Sequence, residues 1–207
     1  MSPETEIVSK RSRGRPRIFD QDAVLEAAMA LFWDRGFEGT SFDALIAAMN
    51  ISASSFYNAF GSKEALYSQA INHYITRTSV WFGSILNGPG DTKAVMERLL
   101  EASAVQFTQK GLPAGCMISL AGTHLHPTLN SIRHAMRTSR NAAEGAVRAR
   151  LEAGIADGDL PPDTDVAGLA ALFEAVFRGM AVGARDGKST EQLLDVGRHA
   201  MRAWPVG

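Results

Sequence analysis

The sequence has 207 residues, of which 45% are hydrophobic and 21% charged, a balance typical of a soluble globular protein and unlike that of a disordered chain. Its longest uninterrupted apolar stretch, 166–173, is far shorter than the roughly 20 residues that span a bilayer, and no apolar segment follows the charged N-terminus, so we expect neither a membrane anchor nor a signal peptide. The single cysteine excludes an internal disulfide framework and a cysteine-cluster metal site, and a cytoplasmic protein is expected.

The formal net charge is −1, but the basic residues are unevenly distributed. Five of the 21 lysines and arginines lie within positions 10–17, without an acidic residue among them. A short basic arm ahead of a neutral body is common in proteins that bind nucleic acid, although a solvated tail can have the same composition. Residues 1–18 are therefore predicted to form a flexible arm, and both interpretations of its charge stay open.

From Asp20 onward, apolar residues recur at helical spacing between capping and breaking residues. Thr40, followed by Asp43, is predicted to cap the second helix. No alternating apolar run indicates a strand, so we expect an all-α fold with a small domain at 19–66 and a larger helical domain at 67–207. The pattern predicts about nine helices, at 21–35, 41–49, 53–59, 63–82, 92–109, 116–125, 127–156, 163–185 and 190–204.

The second and third helices are short and joined by a tight turn, which is helix-turn-helix geometry. In such a motif the second helix enters the major groove, where small hydroxyl side chains at its N-terminus can meet phosphates or base edges. Tyr57 can present its hydroxyl to a phosphate, and Lys63 is a possible cationic partner. Between positions 18 and 63, six acidic residues outnumber two basic ones, so the arm would have to supply most of the electrostatic attraction. A purely structural three-helix domain is the alternative.

The stretch 18–66 resembles the DNA-binding domain of the tetracycline-repressor (TetR) family, above all in residues 37–41 and 51–66. The specific part of the pattern is a hydroxyl-rich start, Phe56-Tyr57, Phe60, and then Ser62-Lys63-Glu64-Ala65-Leu66. The resemblance implies a dimeric, ligand-responsive transcription factor, usually a repressor, that binds a pseudo-palindromic operator. Ala59 stands where the family often has His, so no contact is expected from that position. The candidate DNA contacts are Arg13, Arg15, Arg17, Thr40, Ser41, Ser52, Ser54, Ser55, Tyr57 and Lys63.

The segment Arg13-Gly14-Arg15-Pro16 is similar to the core of an AT-hook. In that motif glycine permits a close approach to the floor of the minor groove, and the arginines lie in its negative potential. Beside a helix-turn-helix, this similarity favours minor-groove binding by the arm.

The segment 166–185 carries small residues at steps of four, which would let another helix approach closely. The family resemblance implies that the last two helices of each subunit form a four-helix dimer interface, while packing inside one subunit is the alternative. The candidate interface residues are Ala171, Ala175, Gly179, Gly183, Gly197, Met201 and Trp204.

A ligand cavity is expected among the aromatic and methionine residues of 81–177, and such a lining would suit a hydrophobic small molecule of unknown identity. Each of these residues could equally be plain core. The candidates are Trp81, Phe82, Phe107, Cys116, Met117, Leu120, Phe173 and Phe177, with Met136 as a further possibility.

Cys116 has two open interpretations. It resembles a Gly-Cys step of one TetR subgroup at the start of the helix that relays ligand binding, where a helix N-terminus would favour a reactive thiolate. It can also be a small buried apolar residue, which is the interpretation we favour. His124 and His126 are two residues apart and followed by Pro127, so they are not expected to join it around a metal ion.

Three classes of function remain at this point. A dimeric repressor that releases its operator on binding a small-molecule effector is the leading hypothesis. A nucleoid-type architectural protein that uses the arm without a ligand is the second, and a large ratio of specific to nonspecific binding would distinguish the repressor from it. No P-loop, dinucleotide fingerprint, nucleophile elbow or metalloprotease motif is present, so neither an enzyme nor a cofactor is expected.

Overall fold

The computed structural model describes residues 20–121 and 125–205, and within these ranges the chain is helical without strands. The all-α prediction is confirmed. One short 3-10 turn precedes α7 and another follows α9. The helices are α1 (Gln21–Arg35), α2 (Phe42–Met49), α3 (Ala53–Phe60), α4 (Lys63–Leu86), α5 (Thr92–Phe107), α6 (Met117–Leu120), α7 (Asn130–Ala156), α8 (Val166–Arg185) and α9 (Thr190–Ala200).

Capping side chains account for most helix starts. Asp20, Ser52 and Ser62 each accept a backbone N–H in the first turn of their helix, as the sequence predicted. For α2 the predicted cap was wrong. Ser41 accepts the N–H of Ala44 at 3.1 Å, whereas Thr40 is fully buried and its hydroxyl donates to the carbonyl of Gly36 at 2.6 Å.

The sixth helix is much shorter than the predicted span 116–125. It ends at Leu120 because Ala121 takes an extended conformation, with φ −101° and ψ 162°. Among the residues described after Ala121, the next helical ones are the 3-10 turn Pro127–Leu129, which leads directly into α7. Four residues make a single turn, which is marginal on its own, so α6 depends on its packing against neighbouring helices.

Two hydrophobic cores hold the described residues together. The first core is built on α1 to α3 and the first half of α4, and it continues into Met117 and Ile118 of α6 and Met136 of α7. The second core joins α5, α8 and α9 with the C-terminal half of α7. The first core therefore contains side chains from both sides of position 66.

Two polar contacts also connect α1 to the larger part of the molecule. Glu26 on α1 accepts hydrogen bonds from His73 at 2.8 Å and Arg77 at 3.1 Å, both on α4. At the other end of α1, Arg185 of α8 donates to the carbonyl of Trp33 at 2.9 Å and to that of Asp34. The orientation of α1 is thus fixed at both ends.

Among the described residues, one helix, α8, is long and apolar enough by length and composition to cross a membrane. It packs against α5, α6, α7 and α9, and 33% of its most apolar 18-residue segment is buried inside this single chain. The sequence analysis predicted this helix but not a possible membrane span, because Glu174 and Arg178 interrupt its apolar run. A helix that is apolar on more than its buried face has a second surface to cover.

Candidate nucleic-acid interface and ligand cavity

The turn between α2 and α3 depends on Asn50. Its backbone is left-handed, with φ 51° and ψ 44°, which asparagine tolerates better than most residues. The N–H of Ile51 then donates to the carbonyl of Ile46 at 3.2 Å, which closes the end of α2. This turn sets the direction in which α3 leaves α2.

One face of α3 is buried and the other is free. Phe56 and Phe60 lie in the first core, whereas Ser52, Ser54 and Tyr57 are exposed. We call the exposed residues Ser52, Ser54, Tyr57 and Asn58 the α3 face. Asn58 was missed by the sequence analysis, although its position four residues after Ser54 places it on the same side of a helix.

Three serine hydroxyls cluster at the start of α3. The Oγ of Ser52 accepts the N–H of Ser55 at 3.1 Å and lies 3.0 Å from Ser54 Oγ and 2.9 Å from Ser55 Oγ. Hydroxyl groups at a helix N-terminus, where the backbone dipole is positive, suit contacts with phosphate oxygens.

Tyr57 and Lys63 are positioned by aromatic contacts. The ring of Tyr57 stacks on Phe42 with centroids 5.3 Å apart, and the side chain remains 57% exposed, so its hydroxyl can reach a ligand. The Nζ of Lys63 lies 4.2 Å from the centroid of the Phe37 ring, a cation–π distance. Both side chains are therefore held by packing before any partner arrives.

Several candidate DNA contacts have other positions or roles. Thr40 is buried and its hydroxyl is engaged with Gly36, so it cannot touch DNA in this conformation, a correction to the sequence analysis. Ser41 is exposed, with its hydroxyl capping α2. Arg13, Arg15 and Arg17 lie outside the described residues.

A cavity of about 670 Å³ that opens to the surface lies between α4, α5, α6, α7 and α8. One part of its wall is aromatic, from Trp81, Phe82, Phe107 and Phe177. The remaining wall combines small and aliphatic residues with polar side chains and is contributed mainly by α4, α7, α8 and the residues around α6. Its polar side chains include Ser119, His134, Thr138, Ser139, Arg140, Glu144, Glu174 and Arg178.

The cavity contains five of the eight predicted lining residues: the four aromatic residues above and Cys116, which is half-buried. Met117, Phe173 and Met136 do not line it because they are fully buried in the two cores. Leu120 does not line it either, and its side chain is close to Gly115. The polar residues of α7 were missed because a polar helix face in a sequence is normally assigned to solvent.

Charged groups are concentrated at the end of the cavity near α6. Arg140 of α7 donates to the carbonyl of Ile118 at 2.8 Å, and Arg178 pairs with Glu174 one turn away on α8. Burial, and then the nearby positive charge of Arg178, lower the pKa of Arg140. Burial, and then the neighbouring Cys116, raise the pKa of Tyr74 well above its usual value.

The small residues of α8 do not share one face. Ala171, Ala175 and Gly179 are exposed, and a Cβ on Gly179 would meet nothing within 4 Å. Gly183 is buried instead, since a Cβ there would lie 2.8 Å from Lys188 and 3.4 Å from Leu193 of α9. A helix turns by about 100° per residue, so each step of four drifts by about 40° and carries the pattern from the outside to the inside.

The predicted interface residues near the end of the chain also face inward. A Cβ on Gly197 would lie 3.2 Å from Leu100 of α5, and Trp204 is buried 6.1 Å from the Phe173 ring. Met201 is partly buried against the second core. Gly197 and Trp204 are therefore corrected to packing inside the subunit, whereas Met201 stays a predicted interface residue. The exposed apolar residues that the sequence analysis missed are Leu172 and Val182 of α8 and Val196 of α9.

Comparisons with known proteins cover both parts of the chain. Residues 24–70 match the family of bacterial regulatory proteins of the tetR type, and residues 93–201 match the tetracyclin repressor-like C-terminal domain. The chain is 33% identical to the HTH-type transcriptional repressor ComR of Escherichia coli K12, over 95% of this chain and 94% of that protein. It is 29% identical to the HTH-type transcriptional repressor BdcR of the same strain, over 90% and 91%.

A solved structure is similar over the same length. It is a cysteine mutant of the TetR family transcriptional regulator CifR in complex with a 26-base-pair double-strand operator DNA. The sequences are 40% identical, the TM-score is 0.87, and the match covers 93% of this chain and 100% of that one.

Proposed function

The chain belongs to the TetR family of DNA-binding transcriptional regulators, and from this premise we propose that it is a repressor whose homodimer binds a pseudo-palindromic operator and leaves it when a small molecule fills the cavity. The α3 face carries the proposal: an exposed row of hydroxyl and amide groups on the second helix of a helix-turn-helix. The protein would act in the cytoplasm, where its DNA is found.

The exposed surface of α8 supports a dimer. Ala171, Ala175 and Gly179 leave room for a close helix approach, and Leu172 and Val182 beside them are 39% and 46% exposed. A two-fold axis through this surface would bury the same residues twice, as in isologous interfaces. It would also place two copies of α3 on one face of a DNA duplex, which a half-site pair requires.

The helix α4 supports the coupling between cavity and DNA. Its first residues lie next to α3, whereas residues 72–83 line the cavity, so one helix of 24 residues joins the two places. A helix of that length is about 36 Å long and rigid over a few turns. A ligand that shifts α4 in the cavity would therefore shift α3 and change the distance between the two α3 faces of a dimer.

The experiment is a selection from a randomised double-stranded DNA library with the full-length protein, followed by binding titrations of the enriched sequence. We expect a sequence with two related half-sites, bound at least about a thousandfold tighter than unrelated DNA at physiological salt. Enrichment of no defined sequence, with a ratio near one, would favour the architectural alternative and contradict the proposal.

A further inference from the structure

We propose that the cavity binds an amphipathic organic anion, with an apolar body among the aromatic residues and a carboxylate on the guanidinium of Arg140. The regulatory meaning of this site rests on the proposed function. Ligand binding itself does not, because it can be measured without DNA.

The aromatic wall defines the place of the apolar body. Trp81 and Phe82 are consecutive on α4 with ring centroids 6.3 Å apart, and Phe82 meets Phe177 of α8 edge to face at 6.1 Å. Phe107 of α5 completes this wall. With a cavity volume of about 670 Å³, the space is large enough for an aromatic or branched aliphatic ligand.

Arg140 defines the place of the anion. A guanidinium has five N–H donors, and Arg140 uses one of them on the Ile118 carbonyl within the described residues. Arg137 and Arg178 add positive charge around it, whereas Glu174 and Cys116 act in the opposite direction, and Glu174 is already paired with Arg178. A partly buried positive excess of this kind is relieved by a negatively charged ligand, and arginine binds a carboxylate through two parallel hydrogen bonds.

The cavity also contains a second acidic side chain, that of Glu144. Glu144 is four residues after Arg140 on α7, so it lies about 6 Å further along the helix. It is not among the groups that shift the pKa of Arg140. A cation at Arg140 would be repelled by the guanidinium, whereas an anion there is attracted.

The guanidinium of Arg140 also connects the cavity to the DNA-binding part of the chain. Its acceptor, Ile118, belongs to α6 and packs in the first core, which also holds Phe56 and Phe60 of α3. A carboxylate bound to the remaining N–H groups of Arg140 would change the position of a side chain that also holds the Ile118 carbonyl. A shift of Arg140 on ligand binding would therefore be transmitted to α6 and, through Ile118, to the first core.

The test uses three fluorescent probes that share one apolar body and differ in charge: pyrenebutyrate, pyrenebutanol and pyrenebutylamine. Each is titrated into the full-length protein, into Arg140→Gln, and into Arg148→Gln, whose arginine is exposed on the same helix, pairs with Glu152 and does not line the cavity. We expect the acid to bind about tenfold more tightly than the alcohol, and the amine to bind most weakly, as for one charge-assisted contact. The preference for the acid should disappear in Arg140→Gln and persist in Arg148→Gln.

Equal affinities for acid and alcohol in the native sequence would overturn the proposal, as would tighter binding of the amine or no binding of the acid. A preference for the acid that survives in Arg140→Gln would move the anion site elsewhere and overturn it too. Should Arg140→Gln not fold, Arg140→Lys keeps the charge but loses the two-pronged geometry, and it should reduce the preference. Operator binding without any preference for the acid would reject this site and leave the proposed function standing.

Discussion

Tyr67 shows how a single buried hydroxyl affects stability. Its side chain is fully buried in the first core, its hydroxyl has no hydrogen-bond partner among the described residues, and burial raises its pKa to about 12. The folded protein therefore keeps the phenol proton between pH 10 and 12, whereas the unfolded chain loses it near pH 10. The contribution of this pKa difference to the free energy of unfolding is therefore complete below pH 10 and is lost as the pH rises toward 12.

We expect the free energy of unfolding to fall by up to about 2 kcal/mol between these pH values on account of Tyr67. Tyr67→Phe should remove this share of the decline and, at neutral pH, leave stability unchanged or slightly higher, because it removes a buried unpaired hydroxyl. Urea unfolding at several pH values measures both effects. The exposed Tyr57→Phe is the control, and an unchanged alkaline slope in Tyr67→Phe would contradict the prediction.

Tyr57 offers a second single-atom test, this time of DNA binding. Tyr57→Phe keeps the ring that stacks on Phe42 but removes the exposed hydroxyl. The loss of one net hydrogen bond should weaken operator binding by about 1 kcal/mol, roughly fivefold, without changing the fold or the oligomeric state. Fluorescence anisotropy with labelled operator gives the affinity. An unchanged value in a folded variant would place the hydroxyl away from the DNA.

For single residues, the sequence predicted the structure correctly where a side chain binds the backbone of its immediate neighbours. Ser52 and Ser62 are caps because a hydroxyl before a helical run has an obvious N–H to accept. Thr40 and Ser41 are adjacent hydroxyl residues, and either could have capped α2. The choice depends on which of them the first core buries, and that is a tertiary property.

At the scale of elements, α8 provides a matched pair of glycines. Gly179→Leu should disrupt dimerisation, because Gly179 is exposed and unobstructed within its own subunit, so that a large side chain there would meet only a partner helix. Gly183→Leu should instead destabilise the subunit, because its Cβ would lie 2.8 Å from Lys188 and close to Leu193. Overpacking of this kind typically costs about 1–3 kcal/mol.

Sedimentation and thermal unfolding distinguish the two variants. Gly145→Leu is the control, since Gly145 is exposed and its Cβ would also meet nothing within 4 Å, yet it belongs to α7 and not to α8. An intact dimer in Gly179→Leu would remove this face of α8 from the interface.

The contact between α8 and α1 yields a further prediction. Arg185 donates to carbonyls at the C-terminal end of α1, where a positive charge also matches the helix dipole. Arg185→Gln should lower operator affinity several-fold, because α1 loses one of its two polar attachments, while dimerisation stays intact. Its control is Arg198→Gln, an exposed arginine of α9 that pairs with Asp195. Equal operator affinities in the two variants would show that this contact does not orient the DNA-binding part.

The helices that the sequence predicted best have both an apolar stripe and a local cap, as in α1, α3 and α8. The failures have a common cause. The length of α6, the polar wall of the cavity on α7 and the inward position of Gly183 all depend on which helix lies alongside, and spacing along one chain contains no such information.

For the whole molecule, the unbalanced charge distribution predicts a test of the arm. Residues 1–17 lie outside the described structure, and they contain five of the seven basic residues before position 64. Removing them should weaken operator binding and reduce its salt dependence, since each lost phosphate contact lowers the log–log salt slope by about 0.9. Titrations at several salt concentrations with the full-length and shortened proteins provide the comparison. Identical slopes would mean that the arm does not contact DNA.

The first core also affects how such a protein can diverge or be re-engineered. Because Met117, Ile118 and Met136 fill the same core as Phe32 and Phe56, the N-terminal part is not a portable module. A chimera that joins it to the C-terminal part of a relative would inherit mismatched packing unless these positions, together with Leu129 and Ile132 of the same core, travelled with it. New operator specificity can arise freely on the outside of α3, whereas a change at any of these sites alters the packing on the other side of position 66.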